Sequence, residues 1–184
     1  VGGTAETVTS AATATVVNVN DDPAGSVVIS GTATEDQVLT ASNTLADEDG
    51  ITGEISYQWY RGNDAIDNAN ISTYTLVQDD VGELITVTAS YTAGSNTGET
   101  VTSDPTSLVA NVNDAPTIIV TGTLVEDETL TAAVTDEDGI NGDISYQWVR
   151  IEDDGGNAQF INISGASSST YTLGQEDVGS SIFV

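Results

Sequence analysis

Acidic and amide side chains recur at matching positions of this chain, and their types are those that bind hard divalent cations. The motif Asp-Glu-Asp-Gly stands at residues 47–50 and again at 136–139, and Glu35-Asp36 returns as Glu126-Asp127. Calcium takes roughly six to eight oxygen ligands from carboxylates, amides and backbone carbonyls, whereas magnesium demands near-ideal octahedral geometry. Zinc and copper sites would use His or Cys, and the chain has neither. The residue types therefore favour calcium.

The acidic motifs belong to a repeat of one small domain. The segment Thr4–Ser10 matches Thr97–Ser103, and Asn18–Asp21 matches Asn111–Asp114, in both cases 93 positions apart. Self-similarity at a fixed period is typical of a tandem array. It predicts a C-terminal strand fragment of a preceding repeat at 1–18, a complete repeat at 19–111, and at 112–184 a repeat truncated at its C-terminal strands. We expect the chain to be an internal piece of a longer protein.

Short runs rich in Val, Ile, Thr and Tyr alternate with Gly, Asn, Asp and Ser turns, and helix signals are nearly absent. This pattern predicts an all-β fold of tandem antiparallel β-sandwiches. Trp59 and Trp148 are expected in the cores between the sheets. For the complete repeat we predict strands A to G at residues 26–34 (A), 37–42 (B), 54–61 (C), two within 65–76 (D and E), 84–92 (F) and 99–109 (G).

Composition narrows the classes of partner. The chain carries 29 acidic and two basic residues, a net charge of −27, and no histidine or cysteine. This charge argues against nucleic acid and anionic membrane surfaces as partners, and no apolar stretch approaches the roughly 18 residues of a membrane-spanning helix. A disordered acidic chain is the alternative, but regular apolar alternation and two tryptophans indicate packed cores. Without His, Cys or Lys, and without a cleft, an enzyme is not expected.

In a seven-stranded sandwich the chain arrives at one pole, here called the N-terminal pole, and leaves at the opposite, C-terminal pole. The A–B and E–F loops should lie at the C-terminal pole and the B–C loop at the N-terminal pole, so acidic groups of consecutive domains should meet at a junction. Calcium there would turn repulsion between carboxylates into attraction and stiffen the linker. The predicted calcium ligands of this junction are Glu35, Asp36, Asp79, Asp80, Asn111, Asn113, Asp114, Asp136 and Asp138.

Two simpler interpretations remain open. Asp-rich loops could be ordinary solvated turns, because Asp and Gly favour turns in any case. Residues 153–157, Asp-Asp-Gly-Gly-Asn, are an insertion in the second copy. They are expected to lengthen a hairpin loop, with a separate metal site there as the alternative.

Several motifs resemble those of known extracellular repeats. Asp80-Val81-Gly82 and Tyr57–Tyr60 resemble the D-x-G and strand-C Trp signatures of immunoglobulin-like domains, although the usual cysteines of strands B and F are missing. Asn20–Pro23 and Asn113–Pro116 look like the Asn-Asp-x-Pro linkers of cadherin-like repeats. Taken together, the chain resembles the immunoglobulin-like extender repeats of giant bacterial RTX adhesins.

The resemblance implies type I secretion, a place on the bacterial cell surface, and a spacer role that holds a distal binding domain away from the cell. It also implies calcium at the cadherin-type linkers and neighbouring repeats of the same chain as partners. The alternative function is a carbohydrate- or ligand-binding module, which would need exposed aromatic side chains on one face, with Tyr60 as a candidate.

The split repeat suggests an association between molecules. Residues 1–18 lack a sheet of their own, so one molecule could complete the truncated repeat of another by strand addition. Such a junction would unite side chains of two molecules in a second predicted calcium site. Its ligands would be Glu126, Asp127, Glu176 and Asp177 of one molecule with Asn18, Asn20, Asp21, Asp47 and Asp49 of the other.

Overall fold

The computed structural model describes residues 3–153 and 158–184. The chain divides into two compact units, Val1–Asn111 and Val112–Val184. All ladder pairings between named strands are antiparallel, and the helices in the described residues are single 3-10 turns at Gln78–Asp80 and Gln175–Asp177. No helix in this part of the chain has the length and apolar character needed to cross a membrane. The prediction of an all-β fold is confirmed.

Unit 1 consists of two antiparallel sheets. The strands are β1 (Val27–Ser30), β2 (Val38–Asn43), β3 (Ile51–Arg61), β4 (Asp64–Ala65), β5 (Thr73–Thr75), β6 (Ile85–Ala93) and β7 (Gly98–Thr102). One sheet has the order β1-β2-β5 and the other β4-β3-β6-β7, which correspond to strands A-B-E and C′-C-F-G of an immunoglobulin-like sandwich.

Period-two alternation places the core of unit 1 between these sheets. Along β6 every second residue from Ile85 to Ala93 is buried. Leu39 on β2 and Leu76, which follows β5, belong to the same core cluster as Ile85, Val87 and Ala89. Trp59 on β3 is fully buried within this cluster. Trp148 is fully buried in the core of unit 2, so the prediction that both indoles are core groups is confirmed.

Unit 2 repeats the arrangement with fewer strands. The strands are β8 (Thr117–Thr121), β9 (Thr129–Thr135), β10 (Val149–Asp153), β11 (Ala158–Asn162), β12 (Thr170–Thr172) and β13 (Ser181–Phe183). Its sheets have the orders β12-β9-β8 and β11-β10-β13 in the described residues. Strand C of this unit, β10, pairs with β11 on one side and with β13 on the other.

Two predicted strands are too long. Strand A ends at Ser30 because Gly31 has φ of 122° and a Cβ there would stand 2.6 Å from the Val38 carbonyl oxygen. The regular ladder of strand G ends at Thr102, shortly before Pro105, which has no N–H to donate. Beyond it, residues 103–110 continue along the sandwich through individual hydrogen bonds.

Residues 3–18 contain no strand and are exposed throughout. Of the insertion in the second copy, residues 154–157 lie outside the described residues, so the predicted longer loop and the alternative metal site are not described. The flanking strands β10 and β11 form an antiparallel pair that joins Asp153 to Ala158.

Candidate functional site

The N-terminal pole of unit 1 gathers five of the predicted calcium ligands, Asn18, Asn20, Asp21, Asp47 and Asp49, which we call the pole cluster of unit 1. The Asp49 carboxylate accepts hydrogen bonds from the Asn18 amide at 2.6 Å and from the Asp21 backbone N–H at 2.9 Å. The Asp49 backbone N–H in turn donates to Asp47 Oδ1 at 2.8 Å. The segment that precedes the domain is therefore fastened to the B–C loop by carboxylate oxygens.

The cluster extends to a residue that the sequence did not predict. The Asn20 amide donates to Glu99 Oε1 at 2.8 Å, and the Ser95 hydroxyl donates to Asn20 Oδ1. Glu99 belongs to the repeated motif Thr97–Ser103, and its position at the start of strand G was the signal that could have placed it at this pole. It adds a fourth acidic residue to Asp21, Asp47 and Asp49 at this pole.

Burial and negative charge at this pole also raise the pKa of a tyrosine, Tyr91. The Tyr91 hydroxyl donates to Asp47 Oδ2 at 2.9 Å. Burial, the hydrogen bond to Asp47 and the charges of Asp47 and Glu99 raise the pKa of Tyr91 to about 12. The phenol therefore remains a donor that holds Asp47 in place over the ordinary pH range.

Unit 2 builds the same geometry from the second copy of the motifs. Asp138 Oδ2 accepts from the Asp114 backbone N–H at 2.7 Å, and Asp136 Oδ1 accepts from the Asp138 backbone N–H at 3.0 Å. The Asn113 amide donates to the Asp114 carbonyl at 2.9 Å, as Asn20 does to Asp21 at 3.0 Å in unit 1. We call Asn113, Asp114, Asp136 and Asp138 the pole cluster of unit 2.

At the C-terminal pole of unit 1 the structure brings the A–B turn to the end of the domain. The backbone N–H of the buried Glu35 donates to the Ala110 carbonyl at 2.9 Å, and Gln78 Nε2 donates to Asn111 Oδ1 at 3.3 Å. Asp36 has φ of 63° and its side chain is exposed. In unit 2, Glu126 and Asp127 occupy the same turn and are exposed.

Two predicted ligands have another role. Asp80 is fully buried, and its carboxylate accepts from Arg61 Nε at 2.8 Å, the Tyr74 hydroxyl at 2.7 Å and the Val77 N–H at 2.9 Å. The Asp79 side chain is 82% exposed, and its Oδ2 lies 3.8 Å from Arg61 Nη1. The oxygens of Asp80 are committed to a structural ion pair, which corrects its assignment as a calcium ligand.

Asp177 repeats this arrangement in unit 2 and needs the same correction. It accepts from Arg150 Nε at 2.8 Å, the Tyr171 hydroxyl at 2.6 Å and the Gly174 N–H at 2.8 Å. Burial opposes ionisation of Asp177, but these three hydrogen bonds outweigh it and lower the pKa of its carboxyl. Glu176, beside it, is an exposed partner of Arg150 at 3.5 Å.

The Tyr74 phenol that donates to Asp80 should make unit 1 less stable at high pH. Burial and the hydrogen bond to Asp80 raise the pKa of Tyr74 from 10.0 to about 12. Because the folded value lies above the unfolded value, the neutral phenol stabilises unit 1 fully below pH 10, and this contribution is lost as the pH rises towards 12. The phenolate absorbance of the native chain minus that of Tyr74→Phe should titrate near pH 12. A midpoint near pH 10 would contradict the assignment.

The described residues offer little to the alternative of a sugar-binding platform. Tyr60 is half-buried. An exposed pair in unit 2, Phe160 and Phe183, has ring centroids 5.9 Å apart with an interplanar angle of 81°. Rings set edge to face do not form a flat stacking surface.

Two packed antiparallel sheets in the order A-B-E and C′-C-F-G define unit 1 as an immunoglobulin-like β-sandwich. The family model of the AIR9 A9 domain, an immunoglobulin-like family, matches residues 115–184. The 187-kDa microtubule-associated protein AIR9 of Arabidopsis thaliana is 31% identical over 147 residues, which cover 71% of this chain and 8% of that protein. Neither match is to a bacterial adhesin.

A solved structure of three N-terminal domains of the Highly Immunogenic Outer Capsid protein (Hoc) of bacteriophage RB49 is 14% identical, with a TM-score of 0.32. The match covers 87% of this chain and 57% of that one.

Proposed function

We propose that this protein is a non-catalytic spacer made of tandem immunoglobulin-like domains, and that calcium bound at the pole clusters stiffens the chain where one domain follows another. The proposed setting is a large secreted surface protein of the adhesin type, as the Asn-Asp-x-Pro linkers suggest. The microtubule association in the name of the plant relative belongs to a protein of which this chain spans 8%, and we do not transfer it.

One observation carries the proposal: both units fasten the segment that precedes them to a carboxylate of their B–C loop. Asp21 N–H donates to Asp49 at 2.9 Å, and Asp114 N–H donates to Asp138 at 2.7 Å. A loop that was only a solvated turn would not need to hold the preceding segment in the same way in two copies. The recurrence supports a geometry that serves the linker.

The negative charge of each pole cluster supports the binding of a cation. Two carboxylates about 4 Å apart repel by about 4 kcal/mol at an effective dielectric constant near 20. In unit 1, Asp21, Asp47, Asp49 and Glu99 are linked by hydrogen bonds through Asn20 and the backbone. Their oxygens keep lone pairs beyond those hydrogen bonds, and hard oxygen donors of this kind suit calcium.

We propose the two pole clusters as the calcium ligands, without Asp80 and Asp177. The participation of the other ligands predicted from the sequence stays a prediction; these are Glu35, Asp36, Asp79, Asn111, Glu126, Asp127 and Glu176.

Calcium should raise the stability of the chain. With a dissociation constant of about 0.1–1 mM, typical of extracellular calcium modules, about 10 mM calcium adds roughly 1.4–2.7 kcal/mol to the free energy of unfolding per site. The measurements are thermal unfolding and small-angle X-ray scattering in calcium and in chelator. We expect a higher melting temperature and a changed maximum dimension in calcium, with magnesium at equal ionic strength giving less of both.

The variants Asp49→Asn and Asp138→Asn should each remove the calcium-dependent gain of one unit. Glu48→Gln is the matched control, because Glu48 lies in the same loop, is exposed and is outside the proposed cluster. Equal melting temperatures and scattering curves with calcium and with chelator would end the proposal.

A further inference from the structure

The tripeptide Asn-Ile-Ser occurs twice in this chain, at residues 70–72 and at 162–164. The pattern Asn-x-Ser/Thr, in which x is any residue except proline, is the acceptor sequence for N-linked glycosylation and lies at the surface of secreted proteins. The two tripeptides do not match within the repeat, because Tyr74 aligns with Tyr171 and this places Ser167 opposite Asn70. The surroundings of each tripeptide therefore carry the argument separately.

Asn70 lies between β4 and β5 and is exposed, as is Ser72. The backbone of this tripeptide is held by the core. The Ile71 carbonyl accepts the Trp59 indole N–H at 2.8 Å, and the Ser72 carbonyl accepts the Ala41 N–H at 2.7 Å. Neither contact uses the side chain of Asn70 or Ser72, so a glycan on Asn70 would extend into solvent and leave both contacts intact.

Asn162 is the last residue of β11, and both Asn162 and Ser164 are exposed. The residue between them is anchored to the core, because the Ile163 N–H donates to the Trp148 carbonyl at 3.0 Å. As at Asn70, the backbone is fixed while the amide side chain that would carry the sugar faces solvent. The second tripeptide therefore also has room for a glycan.

Both tripeptides adjoin a strand at the edge of a sheet. In the described residues, β5 is an edge of the sheet β1-β2-β5 and β11 is an edge of the sheet β11-β10-β13. Edge strands offer unpaired backbone groups to other chains, and proteins protect them with charged residues, proline or a covering element. Neither β5, Thr-Tyr-Thr, nor β11, Ala-Gln-Phe-Ile-Asn, contains a charged residue or proline, and Phe160 on β11 is 67% exposed. A hydrated glycan beside each strand would supply the protection.

We propose that Asn70 and Asn162 are acceptors of N-linked glycans that cover the edges formed by β5 and β11. In the transfer, the Asn Nδ2 attacks C1 of a phosphate-activated sugar. The C1–N bond forms while the C1–O bond to the phosphate breaks, and the amide nitrogen gives one proton to a base of the transferase. The inference rests on the proposed secretion of this protein and is independent of calcium.

The acceptor sites are tested by secreting the 184-residue chain from cultured eukaryotic cells behind a cleavable signal peptide and locating glycans by peptide mass spectrometry. We expect glycans on Asn70 and Asn162. Ser72→Ala should remove the glycan from Asn70, whereas Ser72→Thr should keep it, because threonine retains the hydroxyl that the transferase recognises. Asn63→Gln is the control: Asn63 is exposed and outside the motif, so both glycans should remain.

The covering of the edges is tested by light scattering at about 1 M salt, where repulsion between carboxylates is screened beyond about 3 Å. The double variant Asn70→Gln, Asn162→Gln removes both glycans without a change of charge and should aggregate severalfold faster than the glycosylated chain. Adding Phe160→Lys to the double variant should slow aggregation again, because a charged side chain on an edge strand opposes pairing. Asn63→Lys adds the same charge outside β5 and β11 and should not slow it.

A secreted chain without glycans on Asn70 and Asn162 would overturn the proposal, and either residue found bare loses its assignment. Equal aggregation of the glycosylated chain and the double variant would overturn the protection of the edges. Calcium-dependent melting temperatures are measured on the unglycosylated chain, so a failure of the glycan proposal and a failure of the calcium proposal are distinguishable.

Discussion

Replacement of Asp80 by alanine is expected to lower the free energy of unfolding of unit 1 by about 3–5 kcal/mol, because removal of one member of a buried ion pair leaves its partner uncompensated. Arg61 loses its 2.8 Å contact, and the Tyr74 hydroxyl and the Val77 N–H lose their acceptor. The measurement is urea unfolding followed by the indole N–H resonances. The chain has one tryptophan in each unit, so the Trp59 signal should respond and the Trp148 signal should not.

The neighbouring residue provides the control. Asp79→Ala removes an exposed carboxylate 3.8 Å from Arg61, and surface pairs of this kind contribute about 0–1 kcal/mol. Asp177→Ala should cause a similarly large loss of stability in unit 2, so the Trp148 signal should respond and the Trp59 signal should not. If Asp79→Ala and Asp80→Ala cost the same, the buried pair is not what stabilises this corner of the sandwich.

Trp59→Ala is expected to destabilise unit 1 by about 3–5 kcal/mol, because it empties the centre of the core. The side chain is fully buried, its indole N–H donates to the Ile71 carbonyl at 2.8 Å, and its ring lies 5.8 Å from that of Tyr74. Circular dichroism during urea unfolding measures the change, since the variant has lost its own indole signal.

Ile71→Ala is the control for Trp59→Ala. It keeps the carbonyl that accepts the indole hydrogen bond, and its side chain is 62% exposed, so it should cost less than about 1 kcal/mol. A loss of that small size for Trp59→Ala itself would contradict the assignment of the core.

Comparison of the two copies of the repeat predicted much of the fold. The alternation around Trp59 and Trp148 predicts two sheets with an indole between them, and the structure confirms it. Strand ends were less predictable, because they depend on groups far apart in sequence. β1 stops where Gly31 approaches the Val38 carbonyl, and β10 begins at Val149, which pairs with Asn162 and Phe183.

The site was predictable where acidic residues lie close to the linker in both copies, as in the pole clusters. The sequence did not distinguish Asp80 from those residues, because a recurring carboxylate looks the same whether it faces solvent or a buried guanidinium. A signal was present: Arg61 and Arg150 recur in register with Asp80 and Asp177. Only the fold shows that Arg61 and Asp80, 19 residues apart, meet across the corner of the sandwich.

The two buried ion pairs also determine the charge of the molecular surface. Arg61 and Arg150 are the chain's only basic side chains, their side chains are just 29% and 11% exposed, and each is bound to an aspartate inside its unit. The solvent-facing surface therefore has almost no cationic counterpart for its carboxylates. In dilute salt such particles form a stable colloid through mutual repulsion, and this protection vanishes near the isoelectric point of about 4.1.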